Sequence, residues 1–158
     1  MSKLIALLDA CVLYPAPLRD LFMQLALTDL FQAKWAKKEN VSDKAIKKAV
    51  SEMQSGLIYA ELGDGLCEQR IARPGQGKRG GHRTLVAFQK DDRSIFVFGF
   101  SKNEHENINE EDEKKYRELA QFYLNLSGEQ LNKMISEKRL IEVKTQWCRI
   151  KVIVHCSK

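Results

Sequence analysis

Two neighbouring segments that are apolar on both faces constrain this fold more than any other feature of the chain. They are Thr84–Gln89 and Ile95–Phe100. A strand of this kind must be covered on both sides, whereas a half-exposed strand alternates apolar and polar residues. A short polar turn through Asp91 and Asp92 separates the two segments. The sequence therefore predicts a hairpin in the middle of a sheet.

Three segments after residue 40 have the pattern of amphipathic helices. In each, a capping residue precedes apolar residues at intervals of three and four. Ser42 precedes the first stripe, Asn109 the second and Ser127 the third, and Ser127 forms a capping box with Gln130. The predicted buried stripes are Ala45, Ile46, Ala49, Val50 and Met53; Tyr116, Leu119, Ala120, Tyr123 and Leu126; and Leu131, Met134 and Ile135.

Further strands and one further helix are predicted outside these segments. Near the N-terminus, Lys3–Leu8 predicts a buried strand, and Leu18–Phe31 has helical spacing of its leucines. Cys67–Arg73 and Leu140–Val143 are predicted strands, and the tail alternates in strand fashion over Ile150–Val154. The chain is thus expected to mix helices and strands throughout its length.

Positive charge is concentrated in one window of the chain. The formal net charge is +5, which favours polyanionic partners. No acidic residue occurs from Gln69 to Lys90, and the cations of this window are Arg70, Arg73, Lys78, Arg79, Arg83 and Lys90. Within it, Pro74–Gly81 holds four glycines in eight residues, which predicts a mobile basic loop.

Other classes of protein fit the sequence poorly. The apolar run Leu4–Leu8 is too short for a membrane span and is a poor signal-peptide core. The four cysteines are widely spread without a CxxC pair, so reduced thiols in the cytoplasm are expected. The loop lacks the G-x-x-x-x-G-K-[ST] pattern, so nucleotide hydrolysis is not expected.

The basic window suits cleavage of a phosphodiester. Cleaving RNA without a metal requires attack by the 2′-hydroxyl, groups that move two protons, and cations that stabilise the transition state. His82 is the residue of the window whose ordinary pKa suits proton transfer near neutrality, although a histidine at a strand start can equally have no chemical role. Arg70 and Arg73 are three residues apart, so on a regular strand they point to opposite faces.

The segment from Trp35 to Val143 resembles the RelE/HigB-like toxins of bacterial toxin–antitoxin systems. The resemblance rests on RIARPGQGKRGGHRTLVAF at Arg70–Phe88, on FVFGFSKNE at Phe96–Glu104, and on the ending LIEV at Leu140–Val143. It implies an α+β fold in which helices pack on a small antiparallel sheet. It also implies an endonuclease that cleaves mRNA at the ribosome, and a cognate antitoxin that often carries a helix-turn-helix domain.

The same resemblance places the basic cluster of the motif on numbered residues. The candidate catalytic residues are Arg73, Lys78, His82 and Arg83, of which His82 is suggested by the sequence itself and not by the family. The candidate RNA-binding residues are Arg70, Arg79, Lys90, Lys102 and Asn103. No metal and no cofactor are expected in this segment.

The beginning of the chain has another resemblance. LLDACVLYPAPLRDLFMQLAL is similar to the opening strand and helix of PIN-domain nucleases, in which Asp9 would be one ligand of a magnesium site. Such a site needs carboxylates from a whole domain, so a working PIN nuclease is not expected. The chain is accordingly divided into a PIN-like fragment (1–34), a toxin domain (35–143) and a tail (144–158).

The boundary between the PIN-like fragment and the toxin domain affects the expected sheet. Toxins of this kind begin with a short strand before the KWAKKE-like run, where this chain has the PIN-like helix. Either Leu4–Leu8 or the tail strand Ile150–Val154 replaces the missing strand, or a sheet edge stays unpaired.

Three functions remain open at this point. The first is an RNA-cleaving toxin. The second is a catalytically silent module that binds nucleic acid or an antitoxin, since phosphate attraction is independent of catalysis. The third is a toxin of the same fold that acts on a protein.

Overall fold

The central hairpin of the sequence analysis forms the middle of a sheet. The protein is described by a computed structural model over residues 36, 38–75, 80–101, 108–144 and 151–155. The hairpin consists of β3 (His82–Gln89) and β4 (Arg93–Ser101), which pair antiparallel. The predicted N-terminal strand Lys3–Leu8 and helix Leu18–Phe31 lie outside the described residues.

Six strands form one sheet in the described part of the chain. The other four are β1 (Ala60–Gly63), β2 (Leu66–Ile71), β5 (Leu140–Glu142) and β6 (Lys151–His155). The order is β1-β2-β3-β4-β6-β5, and every neighbouring pair is antiparallel except β4 and β6, which are parallel. The predicted α+β fold is confirmed, with the correction that this one pair makes the sheet mixed.

Within the described ranges, three helices pack on the sheet: α1 (Asp43–Gln54), α2 (Glu110–Asn125) and α3 (Gly128–Ser136). The predicted caps are all present. Ser42 Oγ accepts from the backbone N–H of Ala45 at 3.2 Å, and the Ser127 capping box is complete. Each cap satisfies a backbone N–H that has no partner inside its helix. In the described part of the chain, no helix has both the length and the apolar character needed to cross a bilayer.

The helices α1 and α2 cover opposite faces of the sheet. On the α1 face, Ile46 and Val50 pack in one buried cluster with Val86 and Phe96. On the α2 face, the ring of Phe98 stacks on Tyr116 with centroids 5.1 Å apart. Phe96 and Phe98 are two residues apart yet face opposite sides, because the register between β3 and β4 shifts by one residue at Leu85/Val86.

The tail strand β6 joins the sheet in its interior. It lies between β4 and β5, where Ile153 pairs with Ile95 and both side chains are fully buried. Of the two segments expected to complete the sheet, the tail strand therefore does so. The alternative, Leu4–Leu8, lies outside the described residues.

Arg93 ties the hairpin to the end of α2. Its guanidinium donates to the backbone carbonyls of Tyr123 at 3.3 Å and Leu126 at 2.7 Å, and to the carboxylate of Asp92 at 2.7 Å. We expect Arg93→Ala to lower the free energy of unfolding by about 1.5–3 kcal/mol, because charge-assisted hydrogen bonds of a largely buried group are lost. Urea unfolding measures this loss. Arg117→Ala is the matched control, since Arg117 forms a helix-surface ion pair with Glu113, a class that contributes less than about 1 kcal/mol. Equal stability of the two variants would contradict the assignment.

Cys67 is a free, buried thiol on the α1 face. Burial, and then the charge of Glu61, raise its pKa to about 11. At pH 8 the native thiol is thus almost fully protonated, and the thiolate is the nucleophile. We expect iodoacetamide to modify Cys67 about 100-fold more slowly in the native chain than in urea, measured by mass mapping of the peptide that contains it. Similar rates in the two conditions would contradict this. Between pH 9 and 11 the unfolded thiol ionises first, so stability falls as the pH rises through this window.

Candidate functional site

The predicted site residues on β2 and β3 are divided between the two faces of the sheet. Neighbouring residues of a strand point to opposite faces, so His82 and Arg83 cannot share one. His82 pairs with Ile71 on the α1 face, and Arg83 pairs with Arg70 on the α2 face. The predicted catalytic set therefore falls into two clusters, which we call the histidine cluster and the tyrosine cluster.

The histidine cluster consists of Glu39, Arg73 and His82. Arg73 Nε donates to His82 Nε2 at 3.3 Å, and Arg73 Nη2 donates to Glu39 Oε2 at 3.5 Å. Glu39 Oε2 also lies 3.7 Å from His82 Nε2. Since His82 Nε2 accepts from a guanidinium, this arrangement corresponds to the neutral imidazole with its proton on Nδ1.

Exposure differs sharply within the histidine cluster. The side chain of His82 is 1% exposed, while those of Arg73 and Glu39 are 33% and 20% exposed. Arg73 precedes Pro74, where the glycine-rich segment begins. The cluster thus presents one guanidinium to solvent and holds it from behind with an imidazole and a carboxylate. A guanidinium held in this way is suited to bind a phosphate.

The tyrosine cluster consists of Tyr59, Glu68, Arg70 and Arg83. The guanidinium of Arg70 lies over the ring of Tyr59, 3.9 Å from its centroid, and that of Arg83 lies 5.9 Å from it. Arg70 also donates to the hydroxyl of Tyr59. Arg83 Nη1 lies 3.4 Å from Glu68 Oε1. Two cations, one carboxylate and one aromatic ring therefore share this surface.

Of the remaining predicted site residues, the one that the structure describes, Lys90, lies apart from both clusters. Lys90 is exposed in the turn between β3 and β4. This turn and His82 lie at opposite ends of β3, and the strand from His82 to Gln89 is roughly 23 Å long. The prediction that groups Lys90 with the cluster thus finds no support in this placement. Lys78, Arg79, Lys102 and Asn103 lie outside the described residues.

Three residues of the clusters were not predicted from the sequence. Glu39 is 34 positions from Arg73, and nothing in the local pattern links them. Tyr59 and Glu68 carry weak signals: an aromatic residue just before a strand, and an acid two positions before Arg70 on the same strand face. Over the described ranges, no group of three or more His, Cys, Asp or Glu side chains could hold a metal ion.

Comparison with known proteins places the chain in a family. A family model described as the RelE toxin of the RelE/RelB toxin–antitoxin system matches residues 23–143. No curated protein and no solved structure matches the chain. The matched region includes residues 23–34, which the sequence analysis assigned to a PIN-like fragment, and that assignment receives no support. The match covers more than three quarters of the chain.

Proposed function

This chain belongs to the RelE toxin family, and on that basis we propose that it cleaves mRNA at the ribosome without a metal ion. A RelB-type antitoxin is the partner that the family implies. Binding to that antitoxin would neutralise the toxin. The resemblance of the sequence further implies an antitoxin of the kind that often carries a helix-turn-helix domain.

The histidine cluster is the observation that carries this proposal. Arg73 is its partly exposed cation, Glu39 is its partly exposed proton acceptor, and the buried His82 lies 3.7 Å from Glu39 and orients Arg73. A cation and a proton acceptor are groups that metal-free RNA cleavage needs. In this proposal Arg73 contacts the scissile phosphate. Glu39 takes up the incoming proton, and His82 positions Arg73.

The reaction follows from these contacts. The 2′-hydroxyl oxygen forms a bond to the adjacent phosphorus while its proton passes to the carboxylate of Glu39. The bond from phosphorus to the 5′-oxygen breaks, and that oxygen takes up a proton from solvent water. The products are a 2′,3′-cyclic phosphate and a 5′-hydroxyl. Arg73 donates hydrogen bonds to the phosphate oxygens, where negative charge builds up in the transition state.

The remaining cations have a supporting role in the proposal. Arg70 and Arg83 lie on the opposite sheet face and would bind the RNA strand away from the reacting phosphate. Lys78 is a candidate to stabilise the transition state, and Arg79, Lys102 and Asn103 are candidates to bind RNA. Phosphate contacts of this kind supply affinity without sequence preference.

The chemistry of the RNA ends tests the proposal. The protein is expressed from a repressed promoter, growth is followed, and mRNA ends are mapped by primer extension. Ends that accept a radioactive phosphate directly from polynucleotide kinase are 5′-hydroxyls, as the mechanism requires. Cleavage of newly made mRNA should stop when translation initiation is blocked after the protein has accumulated, because the ribosome is needed.

Two results would count against the proposal. Ends that need phosphatase before labelling are 5′-phosphates, which hydrolysis by metal-activated water commonly leaves. Growth arrest without new mRNA ends would indicate another target, and RNA binding without arrest or new ends would indicate a catalytically silent module.

A further inference from the structure

We infer that the tyrosine cluster is a second RNA subsite, in which an unpaired nucleobase stacks on the ring of Tyr59. The inference rests on the proposed function, because it names how the same RNA is held outside the histidine cluster. Single-stranded RNA is commonly bound by stacking of its bases on aromatic rings and guanidinium planes.

The exposure of Tyr59 is the first supporting observation. Tyr59 is 48% exposed, and with Leu57 and Ile141 it is one of the large apolar residues that the described surface exposes. Arg70 lies against the ring at 3.9 Å, so cation–π contact holds the ring in place. The part of the ring that remains in solvent offers a flat surface to a base.

The backbone beside Tyr59 is held by a buried side chain. Gln69 is 3% exposed. Its Oε1 accepts from the backbone N–H of Tyr59 at 3.0 Å, and its Nε2 donates to the carbonyl of Leu57 at 3.2 Å. With the hydroxyl of Tyr59 accepting from Arg70, two hydrogen bonds hold Tyr59 itself and a third holds Leu57, two positions before it. A ring fixed before binding loses little conformational entropy when a base stacks on it.

The charges around the ring favour RNA as the partner. Arg70 lies in no ion pair among the described residues, whereas Arg83 is partly compensated by Glu68 at 3.4 Å. The surface therefore keeps a net positive charge beside the ring, which suits the phosphates that flank a stacked base. Arg70 lies near the end of β2 and Arg73 follows two residues after that strand ends, so at most roughly 10 Å of extended chain separates them. One flexible RNA strand that passes around the end of β2 can therefore contact both clusters.

The test measures binding of an RNA that cannot be cleaved. The probe is a short single-stranded 2′-O-methyl oligoribonucleotide with a fluorophore, titrated with the full-length protein. We expect Tyr59→Ala to weaken binding by roughly 5- to 150-fold, the usual effect of losing one stacked base. Tyr59→Phe keeps the ring and should stay close to wild type. Ile141→Ala, which removes exposed apolar surface at the far edge of the sheet, is the control for surface loss.

The salt dependence of RNA affinity in two variants identifies which contact each residue makes with the RNA. The slope of log affinity against log salt should be unchanged in Tyr59→Ala, because no phosphate contact is lost. In Arg70→Gln the slope should fall by about one. Unchanged affinity in a Tyr59→Ala variant that melts like wild type would overturn the inference. Weaker binding of the antitoxin with unchanged RNA binding would also overturn it, by assigning the surface to a protein partner.

Failure of this inference and failure of the proposed function can be told apart. If the expressed protein makes no 5′-hydroxyl ends but Tyr59 still contributes to RNA affinity, the subsite stands and catalysis fails. If cleavage occurs and Tyr59→Ala binds RNA like wild type, catalysis stands and the subsite fails.

Discussion

Replacing Arg73 by alanine is expected to lower the rate of mRNA cleavage by roughly 10²–10³-fold, the usual effect of removing one donor to a developing oxyanion. Arg73 is the partly exposed cation of the histidine cluster, and its Nε is already oriented by His82 at 3.3 Å. Loss of its guanidinium leaves Glu39 and His82 in place but leaves the phosphate without that donor. Expression of the variant should no longer arrest growth.

One companion variant separates the charge of Arg73 from its geometry, and a second variant is a control at another site. Arg73→Lys keeps the charge but loses the Nε donor and the planar fork, so it should recover only part of the activity. Arg139→Ala is the matched control, because Arg139 is similarly half-buried and pairs with Glu137 at 3.2 Å, yet it lies beside β5 at the other edge of the sheet. Full growth arrest by a folded Arg73→Ala variant would remove Arg73 from the site.

The local elements of the fold could be predicted from the sequence because local rules determine them. Ser42 and Ser127 cap their helices as expected, and the predicted stripes of α1 and α2 are buried apart from the partly exposed Ala45. The apolar character of both faces of β3 and β4 placed this hairpin in the interior of the sheet. Cap chemistry and residue periodicity act within a few positions, so a single sequence carries them.

The arrangement of those elements depends on contacts between distant residues. Alternation predicts a strand for the tail but not that β6 enters between β4 and β5, where its parallel pairing with β4 is non-local. The register shift at Leu85/Val86 also has no evident signal in composition. Because of this shift, Phe98 faces away from α1, whereas regular alternation from Phe96 would point it towards α1.

The candidate site was predicted only in part, because its assembly also depends on contacts between distant residues. The basic window contained Arg70, Arg73 and Arg83, but strand alternation divides its members between two faces. His82 and Arg83 are adjacent on β3, so the same alternation sends their side chains to opposite faces. Glu39 joins the site only through the folding of α1 against β2, so no spacing rule could have indicated it.

The tail strand should be indispensable to the fold, although the family match ends at Val143. Val152 and Ile153 of β6 are 1% and 0% exposed, and each buried side chain of this size contributes about 1.5–3 kcal/mol. The backbone carbonyl of Val152 also accepts from Val143 at 2.8 Å. A chain ending at Lys144 loses all of these contacts and leaves β5 without its neighbour.

We expect that truncated chain to be largely unfolded and unable to arrest growth, because the loss is comparable to the total stability of a domain, about 5–15 kcal/mol. A point variant gives a graded measurement: Ile153→Ala should lower the free energy of unfolding by about 2–5 kcal/mol. Ile141→Ala on neighbouring β5 is the matched control, because its side chain is 45% exposed and surface substitutions of this kind usually change stability by about 0.5 kcal/mol or less. Urea unfolding of both variants decides the matter. If Ile153→Ala unfolds at the same urea concentration as Ile141→Ala, β6 is not part of the folded core, and the sheet ends at β4.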